Sequence, residues 1–173
     1  MAEFFNVDEV LHYVHATADM LGAEFGCGSA VFTLKLAKKL HKGKVYAMDV
    51  QEEKLSALQG KAALAHIGNI STIHCNLEEP GATGLQSNML DIVLIPNVLF
   101  QAENKYAMIE EAVRILKSGG QLLIIDWLKK GKFSPKEGMI SPDEVKKMAG
   151  MLGVTFKKEF SAGDYHYALS FVK

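Results

Sequence analysis

The stretch Glu24-Phe25-Gly26-Cys27-Gly28-Ser29-Ala30 constrains this chain more than any other. It follows a short apolar run and leads into Val31 to Leu40, whose apolar positions recur at helical spacing. A strand, a glycine turn and a helix in that order form a nucleotide-binding corner. Glycine lets the backbone turn sharply with no Cβ in the way, and the helix behind it aims free N–H groups into the turn. The dinucleotide spacing G-x-G-x-x-G is broken, because Val31 stands at its third glycine. The acidic-x-G-x-G-x-G spacing fits at Glu24, Gly26 and Gly28, with Ala30 in place of the last glycine.

Composition narrows the class. The chain has 173 residues, enough for one domain over 1–173 with a three-layer core and a short N-terminal helix within 1–17. A net charge of −1 argues against a polyanion binder, so nucleic acid is not an expected partner. No apolar run reaches membrane-spanning length, and Met1 to Phe5 lacks a basic leader. Two cysteines, Cys27 and Cys75, make neither a metal nor a disulfide framework, so a cytoplasmic protein with reduced thiols is expected. Cys27 reads as small filler in the turn rather than as a nucleophile.

Along the chain, strands and helices alternate. Asn6 to Glu9 reads as a capping box that opens a short helix. Strands are expected at Met20–Phe25, Val45–Met48, Ile70–Cys75, Leu90–Ile95 and Gln121–Trp127, and two last ones at Thr155–Phe160 and Tyr165–Val172. Helices are expected over Val31–Leu40, Glu52–His66 and Asn104–Leu116, the last stopped by Lys117-Ser118-Gly119-Gly120. Another starts at the capping box Ser141-Pro142-Asp143-Glu144 and ends at Gly153. The loop 128–140 carries Lys129, Lys130, Lys132 and Lys136, read as a solvated loop. This alternation predicts an α/β doubly wound, Rossmann-like sheet with helices on both faces. Asp49 ends the second strand 21 residues past Gly28, where such folds place a ribose-binding carboxylate.

With these pieces placed, residues 18–173 resemble the class I S-adenosylmethionine (SAM)-dependent methyltransferases, in particular their small ubiquinone/menaquinone-biosynthesis-like branch. The likeness rests on the glycine corner, on Val45-Tyr46-Ala47-Met48-Asp49, on Asp91-Ile92-Val93-Leu94 and on Arg114-Ile115-Leu116-Lys117-Ser118-Gly119-Gly120-Gln121-Leu122. It implies seven strands, mostly parallel, with an antiparallel last strand inserted beside the fifth. It also implies SAM as cofactor, S-adenosylhomocysteine as product and no metal.

Carried over by position, Glu24 and Gly26, Cys27, Gly28, Ser29 and Ala30 would line the methionine part of SAM. Asp49 would hold the ribose, Val50 and Gln51 would pack near the adenine, and Asn76 and Leu77 would border it. Pro96 and Asn97 would flank the sulfonium end. Ala30 and Asn76 depart from the family pattern, which often has glycine and aspartate there. At Ala30, glycine would relieve a Cβ facing the cofactor, or would cost stability if φ is negative.

Ligands of such sheets lie beyond the carboxyl ends of the strands. Phe100, Trp127 and Tyr165 are therefore candidates for an acceptor pocket, together with Asp126. His166 and Asn97 are the candidate catalytic residues. Alternation along the last strand puts Tyr165 and Tyr167 on one face and His166 on the other. The expected function is methyl transfer to a small-molecule acceptor. Methylation of RNA or protein with a partner, and SAM binding without catalysis, are the alternatives. A pocket with no capping domain suggests a homodimer that covers it.

Overall fold

Leu90–Pro96 (β4) is apolar at nearly every position, and a strand of that kind is stable only between two helical layers. In the computed structural model of the protein, which describes residues 6–128 and 134–173, β4 lies at the centre of a seven-stranded sheet. Its Val93 and Ile95 enter one apolar core, and Ile92 and Leu94 enter the other.

The remaining strands are β1 (Leu21–Phe25), β2 (Lys44–Asp49), β3 (Ile70–His74), β5 (Leu116–Trp127), β6 (Thr155–Ser161) and β7 (His166–Val172). Their order is β3-β2-β1-β4-β5-β7-β6. The pairs β2–β3, β1–β2, β1–β4 and β4–β5 are parallel, whereas β7 runs antiparallel to both β5 and β6. The chain first winds outwards through β2 and β3, then returns to β4 beside β1. The carboxyl ends of β1 and β4 thus flank the point where the winding reverses, which is where open α/β sheets bind ligands.

Helices α1 (Val7–Leu11) and α2 (Val31–Lys39) bury Val7, Val10, Leu11, Phe32 and Leu36 on one face. Leu55 and Leu58 of α3 (Glu52–Leu64) pack with Ala47, Cys27 and Ala30. The other face is covered by α4 (Lys105–Ile115) and α5 (Pro142–Met151), through Met108, Ile109, Ala112, Val145 and Ala149. The capping box of α5 forms: Glu144 N donates to Ser141 Oγ at 3.3 Å, and Ser141 N donates to Glu144 Oε2 at 3.0 Å. Asn6 caps α1 through Asp8 N at 3.0 Å rather than through Glu9.

Several boundaries differ from the sequence reading. β5 begins at Leu116 rather than Gln121, because Leu116 pairs with Leu90 across a bulge. Gly119 N also donates to the Lys173 carbonyl at 2.7 Å, which draws this glycine stretch into the sheet. α3 stops at Leu64 rather than His66, and α5 at Met151 rather than Gly153, each about half a turn early. Lys129, Lys130 and Lys132 lie outside the described residues, and Lys136 is exposed. No helix among the described residues is long and apolar enough to cross a membrane.

The loop between β3 and β4 is tied to α4 by a buried carboxylate. Glu111 accepts from Arg114 Nε and Nη2, both at 2.7 Å, from Thr83 Oγ1 at 2.6 Å and from Gly81 N at 3.2 Å. Burial alone pushes this carboxyl up, but the bonds from Arg114 and Thr83 outweigh it and hold it at about 2. A folded value below the unfolded one means stability that is present above about pH 4.5 and drains away towards pH 2. Glu111→Gln is expected to cost about 2–3 kcal/mol at pH 7, as measured by denaturant melts. The gap from wild type should close as the pH falls from 4.5 to 2.

Candidate cofactor and acceptor site

The glycine corner is built by backbone bonds to β2. Gly26 N and Cys27 N both donate to the Met48 carbonyl, at 2.8 and 3.0 Å, and Ala30 N donates to Cys27 O at 2.7 Å. α2 then begins at Val31. The two glycines do different things. Both have positive φ, +74° at Gly26 and +38° at Gly28. A Cβ on Gly26 would meet Val98 Cγ2 at 2.9 Å, so the space this glycine leaves is taken by a side chain from the β4 end. A Cβ on Gly28 would find only Gly26 O, at 3.7 Å, which leaves that backbone open to approach.

Asp49 closes the corner from the end of β2. It is buried, and its Oδ2 accepts from Gly28 N at 3.1 Å and from Cys27 Sγ at 3.8 Å. Its Oδ1 accepts from Gln51 N at 2.9 Å. A carboxylate offers about four acceptor positions, so one remains after these three donors. Lys61 of α3 donates to the Ser29 carbonyl at 2.9 Å and supports the loop from outside.

Glu24 lies on the α2 face of β1, buried, with Thr33 Oγ1 donating to its Oε2. Burial, with the neighbouring Asp49 charge adding to it and Thr33 opposing it, raises this carboxyl to about 8, so it is protonated at neutral pH. The Cys27 thiol is pushed up to about 12 by burial and by the charges of Glu24 and Asp49. It is therefore an inert thiol, as its reading as filler requires.

At the end of β4, Pro96 is buried and Asn97 turns the chain in the left-handed region, φ +54°. Asn97 N donates to the Ile125 carbonyl at 2.8 Å. Its Oδ1 is buried and accepts no hydrogen bond among the described residues. On the other flank, Val50 is exposed, and its carbonyl lies 2.9 Å from His74 Nε2. Asn76 Oδ1 accepts from Glu78 N at 3.1 Å, its amide donates to Glu79 at 3.2 Å, and Leu77 is buried.

The aromatic candidates meet at the ends of β5 and β7. Trp127 pairs with His166 in register, their rings 4.2 Å apart, and Phe100 meets Trp127 edge to face at 6.4 Å. The hairpin loop between β6 and β7 emerges at this same carboxyl edge. Burial drives the His166 imidazole down to about 4, so it is neutral at physiological pH. Tyr167 turns to the opposite face and donates to the Ile140 carbonyl at 3.1 Å. Tyr165 is half-buried just outside β7, and its carbonyl accepts from Leu128 N at 2.8 Å.

Thr33, Val98, Lys61 and His74 are the contributors that sequence reading passed over. Thr33 alone carried a signal, since it lies at the third position of the helix behind an acid-bearing strand. The others depend on contacts between distant segments.

A family model described as a methyltransferase domain matches residues 23–124, which include the glycine corner, Asp49 and Asn97. The chain belongs to this methyltransferase-domain family. It is 30% identical over 103 residues to a ubiquinone/menaquinone biosynthesis C-methyltransferase of Hydrogenovibrio crunogenus, covering 59% of this chain and 40% of that relative. It is 31% identical over 101 residues to a demethylmenaquinone methyltransferase of Listeria monocytogenes, covering 58% and 41%. The chain thus spans about two fifths of the length of the curated relatives it matches. Among solved structures, a SAM-dependent methyltransferase from Aquifex aeolicus superposes with a TM-score of 0.86 at 24% identity, over 98% of this chain and 90% of that one. A putative type 11 methyltransferase from Sulfolobus solfataricus gives 0.78 at 20% identity, over 99% and 94%. At these identities the structures show the shared class I methyltransferase fold.

Ala30 adopts φ +72°, so it lies in the left-handed region rather than in the first helical turn. Alanine is strained there and glycine is not. Ala30→Gly is therefore expected to stabilise the methyltransferase domain by about 1 kcal/mol, read as a rise in thermal midpoint. For Glu24, the folded value of about 8 stands above the unfolded one, so its contribution to stability is lost as the pH rises from about 4.5 through 8. The thermal midpoint of Glu24→Gln should therefore gain on wild type across that range and level off above it.

Proposed function

We propose that this protein transfers a methyl group from SAM to a small aromatic acceptor. The observation that carries the reading is the pairing of two halves at one sheet edge: the corner closed by Asp49, and the cluster of Phe100, Trp127 and His166. The residues fit the cofactor. Asn97 Oδ1 is a buried acceptor with no hydrogen bond among the described residues, suited to a cationic or N–H-bearing group. Gly28 leaves its backbone open, and Asp49 keeps one acceptor position for a ribose hydroxyl. Glu24, Cys27, Ser29 and Ala30 support the corner, and Pro96 shapes its far wall. Val50, Gln51, Asn76 and Leu77 flank the adenine side.

When bound, SAM supplies a methyl group on a sulfonium, an already activated leaving group. The protein's work is then to orient the acceptor and exclude water. Phe100 and Trp127 offer aromatic surface for a flat acceptor, with Tyr165 beside them. His166 is neutral at pH 7, and burial makes it a weaker base than an ordinary imidazole, so its part is to accept a hydrogen bond from a hydroxyl-bearing acceptor rather than to take the proton outright. The names of the relatives, a quinone-biosynthesis C-methyltransferase and a demethylmenaquinone methyltransferase, support an acceptor of the hydroquinone type.

Calorimetry with SAM and S-adenosylhomocysteine, followed by turnover of a panel of soluble hydroquinones, tests this reading. Binding of neither nucleoside would overturn it. Asp49→Ala should weaken SAM binding by about 1.5–3 kcal/mol, the worth of a hydrogen bond to a charged group. That is roughly 10- to 100-fold in Kd at 25 °C. Unchanged affinity in a folded Asp49→Ala variant would remove Asp49 from the ribose site.

A further inference from the structure

Asp126 is fully buried near the end of β5, and both of its oxygens are taken by backbone amides. Its Oδ2 accepts from Phe100 N at 3.1 Å and its Oδ1 from Trp127 N at 2.7 Å. Phe100 belongs to the 3-10 turn Leu99–Gln101 that follows β4, so one carboxylate joins the ends of two neighbouring strands. The two residues it holds are the ones whose rings meet edge to face, with an interplanar angle of 85°.

We propose that Asp126 is a positioning residue of the acceptor pocket, setting the spacing of Phe100 and Trp127 through their backbone amides without touching the acceptor. This rests on the reading of that aromatic cluster as the acceptor site. The groups around the carboxylate are Lys105 of α4, which attracts it, the backbone of Leu99, and Tyr167, its register partner on β7. His166 faces away on the other side of the sheet. Burial raises the Asp126 carboxyl to about 6, against the pull of the Trp127 and Phe100 amides and of Lys105. Protonation replaces a double acceptor by a group that must donate one O–H, so its hold on the two amides weakens below that pH.

Trp127 is the single tryptophan of the chain, so its emission reports this pocket directly. Tryptophan fluorescence and near-ultraviolet circular dichroism of the full chain, followed from pH 5 to 8, are expected to show a transition with its midpoint near 6. Protonation of His166, at about 4, falls below that window. Asp126→Asn should abolish the transition and leave SAM affinity, measured by calorimetry at pH 7.5, within twofold of wild type. A wild-type signal that stays flat across the window overturns the proposal, and that measurement needs no variant. A transition that persists in Asp126→Asn overturns it too. So does a large loss of SAM affinity in that variant, which would assign the residue to the cofactor side. Failure of wild-type protein to bind SAM would strike the methyltransferase reading instead, and would leave the link between Asp126 and Trp127 to be judged on the fluorescence.

Discussion

The carboxylate of Asp49 is the contact on which the candidate site depends. Two strands that wind in sequence, β1 and β2, end side by side, and each hands its chain to a loop with unpaired N–H groups. Asp49 takes one such group from each loop, at Gly28 and at Gln51. The corner is thereby shaped before any ligand arrives, and an arriving hydroxyl meets an acceptor that is already oriented. Preorganisation of this kind lowers the cost of binding, because the loop loses little freedom when the ligand enters.

The same edge concentrates strain and buried charge. Ala30 and Asn97 both take left-handed backbone conformations, one behind β1, where alanine is strained, and the other behind β4, where asparagine is tolerated. Glu24, Asp49 and Asp126 put three buried carboxyl groups at the ends of β1, β2 and β5. Burial lifts two of them, Glu24 and Asp126, well above the ordinary carboxylate range. Groups held this way cost stability near neutral pH, and chains retain such arrangements mainly where a site needs them. Glu111 is the contrast. Lying under a loop away from this edge, it is paired with Arg114 and held well below its usual value.

The layer order of the fold was legible in the residues because its signals are local. The continuous apolar run of β4, the capping box at Ser141 and the glycine spacing at Gly26 and Gly28 each depend on a few adjacent positions. The resemblance to known methyltransferases added the antiparallel placement of β7, which periodicity cannot supply. The early start of β5 escaped notice, since its glycines look like a helix stop until Lys173 comes to pair with them. The conformation of Ala30 was also hidden, because an alanine residue does not announce a positive φ.

By itself the sequence determined the alternation of strands and helices, the glycine corner and the carboxylate that ends the second strand, since these follow from turn chemistry and from the period of apolar residues. Tertiary structure alone decided how those pieces are used. It set Val98 in the space left by Gly26, joined Asp49 to Gly28, and brought Phe100, Trp127 and His166 together from three segments of the chain. It also decided the protonation of Glu24, Asp126 and His166. A residue's identity sets only its reference affinity for a proton, and the depth at which the folded chain buries it does the rest.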